Sequence, residues 1–238
     1  MRMTAQERGL YRLRTASDAH FSPAAYGYGR RPSAVDKLAL AIFATIRVTI
    51  AIAVLFAWLA AIFLYRDTQI ELFGIGGGWL TLAHLLVPLG FFLIALTNRR
   101  YGPGYALAQL VGTGIALAVL LALKGDELYA FLPLDQVPSV REASAFGAAF
   151  FLANLVSITA FEGARGPMWW TAPLIGFLSA ALVFPLVFFP AFYLGSSADW
   201  LSHCLAYLLL LLSMSLLLLI PFCALRRLVP PIAGFGGY

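Results

Sequence analysis

Five side chains carry most of the recognisable chemistry in an otherwise apolar chain: His84, Asn98, Gln109, Thr113 and Asn154. Gln109 and Thr113 are four residues apart, so a helix presents both on one face, and Ser157 follows Asn154 by one turn. Amides and hydroxyls at membrane depth offer neutral donors and acceptors. They suit an uncharged, hydrogen-bonding solute, and equally they serve as hydrogen-bonding glue between helices. His84 precedes Pro88, and His203 stands near the start of the last apolar run; each suits either a solvent-filled vestibule or a hydrogen bond to a neighbouring helix. Nothing in the chain matches a phosphate-cradling loop, a nucleophile elbow or a zinc-binding HExxH run, so no catalytic residues, no metal and no cofactor are expected. Cys204 and Cys223 are nineteen positions apart in one expected helix, about 28 Å along its axis, and cannot pair with each other.

The elements that must position these groups follow from solvent. Of 238 residues, 61% are hydrophobic and only 11% charged, whereas a soluble domain carries about a quarter charged residues. A helix of about 20 apolar residues crosses the hydrocarbon core with its backbone polar groups satisfied internally. Six segments meet that requirement: Leu38–Leu64, Trp79–Thr97, Tyr105–Leu123, Ala143–Phe161, Met168–Leu194 and Leu201–Leu225. The expected fold is therefore all-α, a polytopic membrane protein with six transmembrane helices. Residues 1–37 read as a flexible basic tail, 38–227 as the transmembrane domain and 228–238 as a short C-terminal tail. The first apolar stretch begins too late for a cleavable signal peptide. Leu128–Val140, interrupted by Pro133, Asp135 and Pro138, reads as an interfacial loop or lid.

Orientation follows from basic residues, which cytoplasmic segments retain. Twelve Lys and Arg fall on the side holding both termini and three, Arg66, Lys124 and Arg141, on the other. Both termini are expected in the cytoplasm and the protein in the cytoplasmic (inner) membrane. The positive charges border apolar runs instead of forming one basic face, so the expected partner is the lipid bilayer and not nucleic acid. Arg47, inside the first span, reads as either an interfacial snorkelling anchor or a buried functional group. Trp79, Trp169, Trp170 and Trp200 suit the interfacial belt, while Trp58 fits belt or packing. Ala143, Gly147 and Phe151 share a face, as close helix contact would require. Pro88 and the trio Pro173, Pro185 and Pro190 fall in the middle helix of each three-helix half, a distribution compatible with an inverted repeat and a midplane site.

Two stretches resemble the six-helix queuosine precursor transporters, the vitamin-uptake-transporter-like family. Thr81–Ala106 resembles the family's apolar helix with a central proline, a polar turn, Arg, an aromatic residue, Gly and a following Ala. Ala143–Tyr193 resembles it in the small residues ASAFGAA, the basic turn EGARG and the pair Trp169 and Trp170 before a long aromatic helix. The resemblance implies a divergent member: a permease for a small, planar, nitrogen-rich solute, with a midplane pocket lined by Asn98, Gln109, Thr113, Asn154 and His84. The family's usual Asp at the polar turn is Asn98 here, and Ser179, Ala180 and Ala181 stand where its fifth helix carries another Asp. The alternative expectation is a non-transporting accessory or structural subunit of a larger membrane complex; as a permease, the chain is expected alone or as a homodimer.

Overall fold

A computed structural model describes residues 34–71, 78–131, 139–196 and 199–232. Residues 1–33 of the basic tail, 132–138 of the expected lid and 233–238 of the C-terminal tail lie outside the described residues. The helices are α1 (Ala34–Leu64), α2 (Leu82–Tyr101), α3 (Pro103–Phe131), α4 (Val140–Gly163), α5 (Thr171–Tyr193), α6 (Trp200–Leu217) and the short α7 (Leu219–Leu225). α6 and α7 together make one apolar span, so among the described residues six helices are long and apolar enough to cross a bilayer, and the chain is a multi-pass membrane protein. The chain divides into two compact units, residues 1–47 and 48–238, and the second is the packed helical body.

Element boundaries differ from the hydropathy expectation where charge or proline intervenes. α1 opens at Ala34, with Asp36 in its first turn, so the helix includes the last residues assigned to the tail. α2 runs past Thr97 to take in Asn98, Arg99 and Arg100, which the sequence placed in a turn; two arginines in the last turn complement the negative end of the helix dipole. α3 continues to Phe131, so Lys124–Phe131 is helix and not loop. Its surroundings are strong helix formers, and one Gly125 costs only about 1 kcal/mol. The last span breaks at Leu218, because Pro221 has no N–H for the carbonyl of Leu217, the residue at which α6 ends.

Gly102, at φ +90°, makes the reversal from α2 to α3, its N–H donating to Asn98 O at 2.9 Å, and Pro103 opens α3 at a position where no intrahelical donor is needed. At the opposite end, Arg66 after α1 pairs with Glu142 of α4 at 3.4 Å, and Gln69 bridges Thr81 ahead of α2. α2 and α4 therefore start at one end of the bundle and run in parallel, while α1 and α3 run against them.

Lipid tails are as apolar as leucine, so packing shape holds the helices together. α4 and α5 make the broadest contact, along buried Ala149, Ala153 and Ser157 on one side and Gly176, Ala180 and Ala181 on the other. A Cβ at Gly176 would press on Ser157 Oγ and Phe161 Cδ2, both at 3.3 Å. The expected contact face of Ala143, Gly147 and Phe151 is instead exposed, with nothing within 4 Å of a Cβ at Gly147. The buried small residues two positions along, Ala145, Ala149 and Ala153, give the closer seam. Aromatic rings fill the centre: Trp58 stacks on Phe150 at 4.8 Å, Phe150 on Phe91 at 5.8 Å, and Phe184 meets Phe91 at 6.0 Å and Tyr207 at 6.2 Å. Each such pair contributes about 0.5–1.5 kcal/mol beyond the area it buries. Trp58 is thus a packing residue, its indole N–H donating to Leu86 O at 2.8 Å.

Candidate functional site

The ring layer of Trp58, Phe91 and Phe150 is a fixed reference from which depth can be counted. Asn154 lies four residues beyond Phe150, about 6 Å along α4, and Asn98 seven beyond Phe91, about 10 Å along α2. Ala51 lies seven before Trp58 on the antiparallel α1, again about 10 Å and on the same face. Its carbonyl accepts from Gln109 Nε2 at 3.0 Å, which brings α3 to the same level. Asn98, Gln109 and Asn154, with Thr113 one turn beyond Gln109, therefore occupy one half of the bundle, between the aromatic layer and the end bearing Arg99. All four are buried.

Their hydrogen bonds leave specific atoms over. Asn154 Nδ2 donates to Phe150 O at 2.8 Å, and Thr113 Oγ1 donates to Gln109 O at 2.8 Å. Because the partners of Asn154 and Gln109 are carbonyls, only the NH2 end of each amide can face them, which fixes Oδ1 and Oε1 as the remaining atoms. Those two oxygens, together with Oδ1 and Nδ2 of Asn98, are buried without a partner among the described residues. A buried polar group left unmatched costs about 1–3 kcal/mol, so three such amides in one half of the bundle are a feature that core packing alone does not explain.

The backbone carrying Asn98 is clamped from both sides. Arg165, in the turn after α4, forks onto Glu162 through Nε at 2.8 Å and Nη2 at 2.7 Å, and Nη2 also donates to Asn98 O at 2.8 Å. Arg99 is 3% exposed; its Nε donates to Val229 O at 2.9 Å and its guanidinium lies 5.4 Å from the centre of the Phe222 ring. Neither arginine stood out in the sequence as part of a site. The i,i+3 spacing of Glu162 and Arg165 was a local signal for their pairing, whereas contacts across 67 and 130 residues leave no trace in spacing.

His84 does not join this set. It precedes Asn98 by fourteen residues, about 21 Å along α2, at the opposite end. There its Nδ1 accepts from Thr81 N–H at 3.2 Å and lies 2.8 Å from Thr81 Oγ1, capping the helix. Trp79 stacks on His203 at 5.0 Å and meets Tyr207 edge-on at 6.5 Å, so it packs against the bundle at this end. Outside the spans, the exposed Asp199 carboxyl is held below its ordinary range by hydrogen bonds from Ser202. Arg47 is half-buried in α1, seventeen residues before Leu64. Among the described residues no cluster of three or more His, Cys, Asp or Glu is arranged to hold a metal.

Comparison with family models, with curated proteins and with solved structures finds no match to this chain in any of the three.

Proposed function

We propose that this membrane protein is a permease for a small, neutral, planar, nitrogen-rich solute of the queuosine-precursor type, seated in the cytoplasmic membrane with both termini in the cytoplasm. The observation that carries the reading is the level of unpartnered amide atoms on Asn98, Gln109 and Asn154. A solute presenting N–H donors to Gln109 Oε1 and Asn154 Oδ1, and a mixed edge to Asn98, offsets the cost of leaving those atoms unmatched. The resemblance of Thr81–Ala106 and Ala143–Tyr193 to queuosine precursor transporters supports the same solute class. With Asn98 where that family carries Asp, the site is neutral, which favours an uncharged base. Uptake of a radiolabelled deazapurine into knockout cells is expected to depend on this protein; equal uptake by complemented and empty-vector cells would remove the assignment. Reporter fusions at each end are expected to report the cytoplasm, in keeping with the twelve-to-three distribution of basic residues.

A second reading, an accessory subunit of a larger membrane complex, is favoured by α1, which buries only Leu55, Trp58, Leu59 and Ile62. It predicts a stoichiometric partner after extraction in mild detergent, where the permease reading predicts the chain alone or as a homodimer.

A further inference from the structure

The segment after α7 turns back across the end of α2. Val229 O accepts from Arg99 Nε at 2.9 Å, Ile232 N–H donates to Arg99 O at 3.0 Å, and Pro231 between them is buried. The Ile232 side chain covers the reversal at Gly102, its Cδ1 lying 3.7 Å from where a Cβ would stand. Pro230 and Pro231 have no N–H groups, so within Val229–Ile232 only two residues can donate from the backbone, and one of these donors holds Arg99. The opposite flank of the same turn is held by Arg165 on Asn98 O, through a side chain already anchored by Glu162. One flank of Asn98 is thus fixed by a charged, forked clamp within the helical body, and the other, among the described residues, by a short strap that meets α2 through Val229 O, Ile232 N–H and the Ile232 side chain. Segments joined by few hydrogen bonds open at free energies well below global unfolding.

We propose that Val229–Ile232 is a strap that closes the basic end of the amide level and opens by releasing Arg99, giving a solute passage to Asn98 from that side. This rests on the permease reading for its purpose, but the strap's opening is a property of the chain and is measured without transport. Proline stiffness makes the strap swing as a unit: breaking the Ile232 N–H bond frees the Ile232 side chain from Gly102 at the same time. Arg165 stays in place during the motion, because its two bonds to Glu162 do not involve the strap.

The test uses the full-length chain with Cys204→Ser and Cys223→Ser, carrying Asn98→Cys as the probe. The rate at which a membrane-impermeant maleimide labels position 98 from the basic side is compared with and without Ile232→Pro, which deletes the donor to Arg99 O. Labelling at least tenfold faster with Ile232→Pro, and unchanged from the opposite side, supports the strap; equal rates overturn it. If Ile232→Pro does not fold, hydrogen exchange on the unmodified chain decides. The Ile232 N–H is expected to exchange at least a hundredfold faster than the amides of Phe91 to Ala95, and equal protection overturns the proposal. Failed deazapurine uptake alongside rapid strap opening would dismiss the solute and leave the strap standing.

Discussion

The Tyr207 hydroxyl donates to the His84 carbonyl at 2.8 Å, and that carbonyl is the one which Pro88, four residues on, cannot satisfy. α6 thus supplies from outside the helix the donor that α2 lacks within it. Trp58 Nε1 adds a second donor to the same turn at Leu86 O, so two neighbouring helices hold the proline-weakened stretch of α2. In Tyr207→Phe the carbonyl is left buried and unmatched, and a loss of about 1 kcal/mol is expected, the scale measured for hydrogen bonds between membrane helices. Thermal unfolding in detergent should report a Tm lower by about 2–4 °C. Restoring the helical donor with Pro88→Ala should shrink the effect of Tyr207→Phe towards zero, and an undiminished effect would show that the hydroxyl does something other than satisfy His84.

Gly90 lies where the Trp58 ring crosses α2. A Cβ there would overlap Trp58 Cζ2 and Cη2 and come within 2.9 Å of Phe150 Cε2, and neither stacked ring can yield without moving the other. Gly90→Ala is therefore expected to destabilise by about 1–3 kcal/mol despite alanine's better helix propensity. Trp58→Phe removes the overlapping ring atoms. A double-mutant cycle should show the pair costing clearly less than the two single changes summed, whereas strict additivity would mean that the two residues are not in contact.

The spans were legible because lipid imposes one demand, length in apolar residues, and the sequence meets it six times over. Their ends were less so. Asn98 to Arg100 look like a polar turn, yet they complete α2, since arginines at a helix C-terminus are stabilised by its dipole. The heptad and four-residue spacings that carry Asn98 and Asn154 into one half of the bundle were present in the sequence, but the stacking of Phe91 on Phe150 that sets a common origin for counting was not. His84 was misplaced for the same reason: helix membership was readable and depth along α2 gave its end, while capping by its own ring had to be seen. Tyr207 with His84, and Arg99 with Val229, join residues 123 and 130 apart, and no local pattern encodes such pairs.

At the start of α6 the exposed Asp199 accepts a hydrogen bond from the Ser202 hydroxyl, and this, with the Ser202 backbone, holds its carboxyl below the ordinary 3.8. A depressed carboxyl stabilises the fold above its unfolded pKa and loses that contribution as pH falls through the folded value, so the pH dependence it produces is confined to pH below about 4. Ser202→Ala should move the Asp199 titration upward, as read by NMR of the carboxyl carbon, and leave stability at neutral pH within experimental error of the parent because the group is fully exposed. An Asp199 pKa that does not rise would show that the hydroxyl is not its principal partner.

The amide level makes the sharpest demand, because a solute site and a structural hydrogen-bond network respond oppositely to the same substitution. Asn154 Nδ2 bonds only Phe150 O, within its own helix, and that carbonyl keeps a backbone donor if the side chain is lost. Asn154→Leu, the nearest apolar shape, therefore removes an unmatched buried oxygen and leaves no new one. Stability should be unchanged or should rise by about 1 kcal/mol. Uptake, if Oδ1 receives an N–H from the solute, should fall at least tenfold, the equivalent of about 1.4 kcal/mol of binding. Measuring Tm and uptake on one preparation separates the cases. A variant that loses stability but transports normally per folded molecule would identify Asn154 as a structural residue and leave the proposed solute contact without its most specific member.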